Sequence, residues 1–67
     1  MKKVYDNGYY IGELKNGKRH GKGTYYWNAG DKYEGEWKNG KRNGYGIMTF
    51  ADGSIKEGQW VDSEFIG

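Results

Sequence analysis

The sequence contains no cysteine and a single histidine. No disulfide can staple it, and one imidazole cannot build a metal centre. Apolar residues are scarce at 34% of 67 residues, and none of their runs is long enough to cross a bilayer. The opening stretch, Met1 to Gly12, has two lysines with no apolar run behind them, so it is not a secretory signal. A cytoplasmic setting is the expectation. Charge of one sign is lacking too, with 11 basic residues against 9 acidic and a net charge of +2. Strong nucleic-acid binders carry a clearer basic patch, which disfavours nucleic acid as a partner. A phosphate-binding Walker loop is absent, since Gly17-Lys18-Arg19-His20-Gly21 lacks the required spacing.

What is abundant is glycine, with 13 residues, and aromatic rings, with seven Tyr, three Trp and two Phe. The length allows one domain. Ordering such a chain costs about 1.5 kcal/mol per residue, which apolar burial barely offsets in a small protein. Stability must then come from flat aromatic packing, from a partner or from self-association, although many domains of roughly this size fold alone.

The organisation is repetitive. Residues 10–32 align with residues 33–55 at a spacing of 23 positions. Identical pairs include Tyr10/Tyr33, Gly12/Gly35, Glu13/Glu36 and the whole run Lys15 to Arg19 against Lys38 to Arg42. Gly21/Gly44, Gly23/Gly46 and Gly30/Gly53 complete the set. A partial copy over residues 56–67 keeps Glu57, Gly58 and Trp60 but reads Val-Asp-Ser-Glu-Phe where the others have the Lys-Asn-Gly-Lys-Arg turn. Residues 1–9 read as the back half of an earlier copy, with Tyr5 in the place of Trp27 and Phe50. One repeat domain spans residues 1–67.

Each repeat reads as a β-hairpin. Glycine spread through every segment argues against helix, where it costs about 1 kcal/mol relative to alanine. Residues 33–37 and 44–50 alternate with a period of two. Asn16-Gly17 and Asn39-Gly40 are strong hairpin-turn signals, and Asn7-Gly8 predicts a further two-residue turn. The alternation gathers Tyr10, Leu14, Tyr25, Trp27, Tyr33, Trp37, Met48, Phe50 and Trp60 on one face together with most strand glycines. A ring on one strand can lie over a glycine of the next and cover its backbone. The opposite face is charged, with Ile11, Tyr26, Tyr45 and Ile47 interspersed. The predicted fold is all-β, a single-layer antiparallel sheet of five or six strands.

Tyr33-x-Gly35-x-Trp37, then Gly40, Asn43-Gly44-x-Gly46 and Gly53, resembles a MORN repeat (membrane occupation and recognition nexus). The copy at Tyr10-x-Gly12-x-Leu14, Gly17, His20-Gly21-x-Gly23 and Gly30 resembles it as well. Leu14 stands where an aromatic is usual, and Lys56 and Ser63 depart from Tyr and Gly in the last copy. The resemblance implies an elongated, twisted antiparallel sheet of stacked hairpins. It also implies a role in protein–protein interaction or scaffolding, or in phospholipid headgroup binding.

Catalysis is poorly supported. His20 has no evident Cys or Ser partner, and it sits where the family pattern favours His for structural reasons. Glu13 and Glu36 occupy equivalent places, but carboxylates working on glycosides need a cleft, and a single-layer sheet offers none. Cross-strand charge pairing on a solvated face is the simpler role for them. No cofactor or metal is expected. The leading expectation is docking on another protein through Tyr25, Trp27, Tyr33, Trp37, Phe50 and Trp60, if that face is open rather than covered by its own rings, because Trp and Tyr dominate interface hot spots. A chain this short has no room for an attached catalytic domain, so a small inhibitor or adaptor is the expected form. The alternative is anion binding, to membrane headgroups or phosphates, along a basic ridge of Lys15, Lys18, Arg19, Lys38, Lys41 and Arg42. Pairing of two copies through a sheet face or edge is a third form of partnership.

Overall fold

The computed structural model describes all of residues 1–67. Seven strands follow one another in chain order: β1 (Lys2–Tyr5), β2 (Gly8–Lys15), β3 (Lys18–Trp27), β4 (Lys32–Lys38), β5 (Lys41–Thr49), β6 (Ile55–Val61) and β7 (Glu64–Phe65). Each pairs antiparallel with the next in a single sheet that is not closed. The count exceeds the expected five or six because Val61↔Glu64 and Trp60↔Phe65 pair across a turn at Asp62-Ser63.

The turns within repeats are tight for a local reason. Asn16 and Gly17 have φ of 53° and 75°, and Asn39 and Gly40 have 51° and 81°. Two consecutive positive φ values match the right-handed twist of the flanking strands, and Asn-Gly adopts them cheaply. Asp62 and Ser63 keep the same geometry at 48° and 69° without glycine. The first turn is displaced by one residue from the expected place. Tyr5 pairs with Gly8, so Asp6-Asn7 forms the turn. Gly8 serves packing instead, since a Cβ there would run into the Tyr26 carbonyl.

The register puts Gly12, Gly23, Gly35, Gly46 and Gly58 opposite one another, a row of bare backbone across β2 to β6. Tyr10 lies over Gly23 and Tyr33 lies over Gly46, each so close that a Cβ on the glycine would occupy the ring. These are diagonal neighbours on adjacent strands, within reach of a long aromatic side chain. The two tyrosines lose all solvent exposure. Their hydroxyls donate to the Glu13 carbonyl at 2.7 Å and the Glu36 carbonyl at 3.2 Å. Trp37 and Trp60 finish the unit from the next strand, donating indole N–H to the Gly23 carbonyl at 3.0 Å and the Gly46 carbonyl at 3.2 Å. Tyr33 meets Trp37 and Trp60 edge-on, at centroid distances of 5.1 and 5.4 Å. Such pairs add about 0.5–1.5 kcal/mol beyond area burial. The core is therefore Tyr10, Tyr25, Tyr33, Trp37, Met48 and Trp60, all on one face of one sheet.

The hairpins of the two full repeats carry the same irregularity. Between Gly12/Leu14 on β2 and Gly23/Arg19 on β3 the register shifts, and it does so again between Gly35/Trp37 on β4 and Gly46/Arg42 on β5. The unpaired backbone at these bulges is satisfied by a side chain. Glu13 accepts from the Lys22 N–H at 2.9 Å, and Glu36 accepts from the Tyr45 N–H at 3.1 Å. The carboxylates lie where a Cβ on Gly21 or Gly44 would stand. The repeated Glu and Gly thus encode one bulge, in place of the charge pairing expected for the two glutamates.

Candidate functional site

The ring face is cupped. Arg42 is the second residue of β5 and Trp27 ends β3, yet the guanidinium of Arg42 lies 5.6 Å from the Trp27 ring. Asn7, from one end of the hairpins, and Ser63, from the other, line a common cavity on this face. No other strand or helix covers it, and only its own rings and the guanidiniums of Arg19 and Arg42 lie over it.

The six aromatic residues expected to dock a partner divide into two groups. Tyr25, Tyr33, Trp37 and Trp60 are buried, at 4% exposure or less. They are the floor of the cup, packed against glycines and one another. Trp27 and Phe50 are half-buried and pack beside this core. Tyr25 and Trp27 are in contact, with centroids 4.6 Å apart, so the rim ring rests on a floor ring. Of the two conditions left open by the sequence, self-covering describes the floor and openness describes the rim. Burial also shows in the phenols. It pushes the hydroxyl of Tyr33 up to about 12, and raises Tyr10 and Tyr25 in the same direction.

The six basic residues expected to form a ridge also divide. Lys18 and Lys41 are exposed at neighbouring turns, and with Lys3 they border a shallow depression beside Tyr5. Lys15 and Lys38 are exposed but lie outside that depression. Arg42 leaves the ridge, and Arg19 lines the same depression while its guanidinium turns to the rings. Arg19 spreads over Tyr5, Tyr25 and Trp37 at 4.9–5.0 Å, and Arg42 over Trp27, Tyr33 and Trp60 at 5.3–5.9 Å. Alternation carried two residues back from Gly21 and Gly44 puts both arginines on the ring face, a signal present in the sequence but masked by their place beside charged turns.

Each arginine also staples two repeats. Arg19 donates Nη2–H to the Gly40 carbonyl at 2.6 Å, and its own carbonyl accepts from the Gly40 N–H at 2.9 Å. Arg42 does the same with Ser63, at 2.9 Å in both directions, and the Ser63 hydroxyl accepts from the Arg42 N–H at 3.2 Å. Lys3 reaches the Gly17 carbonyl at 2.5 Å in a matching way. Sequence reasoning missed Lys3, Asn7 and Ser63. For Ser63 the signal was its alignment with Gly40, 23 residues earlier. Asn7 accepts the hydroxyl proton of Tyr25 and so fixes one wall of the cup. No repeat position points to that role.

Arg19 and Arg42 face a cavity of about 200 Å³ walled by Tyr25, Trp27 and Trp37. No carboxylate and no lysine lines it. Burial lowers the pKa of Arg42, and the neighbouring positive charge of Arg19 lowers it further. His20 is half-buried, and its Nδ1 is buried without a hydrogen-bond partner. Glu13 and Glu36 are committed to backbone N–H groups, as described above.

The opposite face has a different surface. Tyr9 and Tyr26 stack there with centroids 4.8 Å apart, and Val4, Ile11 and Tyr45 are exposed at 73%, 46% and 44%. Glu34, Glu36 and Glu57 lie among them, and Glu57 accepts the Tyr45 hydroxyl proton. No helix of the chain is long and apolar enough to cross a membrane.

A family model for the MORN repeat matches residues 10–32 and again residues 33–55. No curated protein sequence matches the chain. Repeats of this kind are generally associated with binding proteins or membrane lipids. Two full matches over most of the chain, on tandem hairpins of one open sheet, make this protein a member of the MORN-repeat family.

Proposed function

We propose that the protein is a non-enzymatic docking module that receives a segment of another protein in its cupped ring face. The observation that carries this reading is the uncovered cup, where half-buried Trp27 and Phe50 stand over a rigid aromatic floor. A face with large rings at its rim and a preorganised base suits hot-spot recognition, because little entropy is lost in ordering it. The floor rings act through shape, and the rim rings act through contact. An inhibitor or adaptor role fits a module that presents one such face. The cytoplasmic setting rests on the sequence argument alone.

A second reading has its own observation. Lys3, Lys18 and Lys41 gather at the turn edge, where each lysine would add attraction to an anionic headgroup surface. Affinity capture from native lysate separates the two. The docking reading expects a stoichiometric protein, lost with Trp27→Ala and retained when Lys18 and Lys41 are both changed to Glu. Recovery of lipid, lost with the lysine changes and retained with Trp27→Ala, would replace it with the headgroup reading.

A further inference from the structure

The paired guanidiniums are the one part of the cup that the protein's own packing leaves incomplete. Each spends one N–H on a backbone carbonyl, from Gly40 or Ser63. The Nε of each is buried with no acceptor. Buried charges are ordinarily paired, yet no carboxylate borders the cavity they share. Asp31 lines the adjoining cavity with Trp27 and Arg42, and its carboxylate accepts from the Ala51 N–H at 2.8 Å, while the Asp62 carboxylate, next in the chain to Ser63, accepts from the Asn43 amide at 3.3 Å. Two like charges are held together over aromatic rings without a counter-charge.

We infer that this cavity seats the carboxylate of an acidic side chain, Asp or Glu, carried by an extended partner segment lying across the cup. The inference rests on the docking reading and specifies its ligand. A planar guanidinium matches a carboxylate in a forked geometry that a lysine cannot copy. The ring walls of Tyr25, Trp27 and Trp37 suit the aliphatic stem that bears the carboxylate, as apolar surface suits the stems of other amphipathic side chains. A phosphate is the poorer fit. The guanidinium fork takes phosphate too, but the lysines that would add cations for a dianion lie at the turn edge, outside this cavity, and its walls are rings. Entry of the carboxylate supplies the missing counter-charge and relieves the repulsion between Arg19 and Arg42.

The test uses random linear peptides displayed on phage, panned against the folded full chain. Recovered sequences are then synthesised and titrated by tryptophan fluorescence. The inference predicts that binders share an acidic position, and that Glu→Gln or Asp→Asn at that position weakens binding about tenfold or more, the size of a lost charge-assisted hydrogen bond. Arg42→Lys, which keeps the charge and loses the fork, weakens the acidic peptide and leaves its amide counterpart unchanged. Should Arg42→Lys fail to fold, the substitution on the peptide still decides the matter. Peptides that lack a shared acidic position but lose binding with Trp27→Ala would overturn the carboxylate site and leave the docking reading standing. Recovery of no peptide, with binding to phosphoinositide vesicles that depends on Lys18 and Lys41, would overturn both.

Discussion

The two faces of this sheet are made by the same strands and differ in what alternate residues do. On one face Tyr10 and Tyr33 have no exposure at all, although no second layer covers them. On the other, Val4 and Ile11 remain 73% and 46% exposed. Apolarity does not explain the difference. Glycine does, because bare Gly23 and Gly46 let a ring lie down on the neighbouring strand and bury itself against backbone. The opposite face is hollowed as well, where Gly12, Gly23 and Gly35 lie between Ile11, Glu34 and Tyr45, yet Ile11 and Tyr45 stay exposed there. A single sheet can thus make a core from itself on one side, with the tyrosine and glycine from one repeat and the tryptophan from the next. In a short chain without staples, that is where stability must reside.

The comparison breaks most severely if a floor ring is removed. Tyr33→Ala should cost about 3–5 kcal/mol, the range for deleting a buried aromatic side chain. For a chain of this size that approaches global unfolding, and urea or thermal denaturation followed by circular dichroism would show it. Filling a recess is the complementary change. Gly46→Ala puts a methyl group inside the Tyr33 ring position and should cost about 1–3 kcal/mol by overpacking. The same measurement applies, and an unchanged midpoint would mean the ring is not seated where described.

High pH sharpens the contrast in another way. Burial favours the neutral phenol of Tyr33 and moves its pKa from 10.0 up to about 12. Its stabilising contribution is complete below the unfolded value, near 10, and is lost as pH rises toward 12. Folding stability should therefore decline across that window. Tyr33→Phe should flatten the decline, which denaturant titrations at a series of alkaline pH values would measure. The smallest effect belongs to the other face. Ile11→Ser should change stability by no more than about 0.5 kcal/mol, as exposed substitutions usually do. A larger loss would show that this face is covered in solution.

Much of this was legible in the sequence. The 23-residue period, the Asn-Gly turns and the two faces follow from alternation and turn chemistry. The family resemblance rests on the same residues. What could not be read was tertiary. Glu13 and Glu36 look like charges on a solvated face, and only the bulge shows that they cap backbone N–H groups. Alternation places Arg19 and Arg42 on the ring face, but the cupping that brings Arg42 within 5.6 Å of the Trp27 ring does not show in the chain. The rings Trp37 and Trp27 look equivalent as candidates, yet one is floor and the other rim because their partners lie on different strands.

That last division gives the most direct test of the account. Hydrogen exchange of the three indole N–H groups can be followed by NMR on the free protein. Trp37 and Trp60 donate to glycine carbonyls from buried positions, whereas half-buried Trp27 stands at the rim. The account predicts strong protection for Trp37 and Trp60 and rapid exchange for Trp27. Equal, rapid exchange at all three would contradict a self-built aromatic core on the ring face.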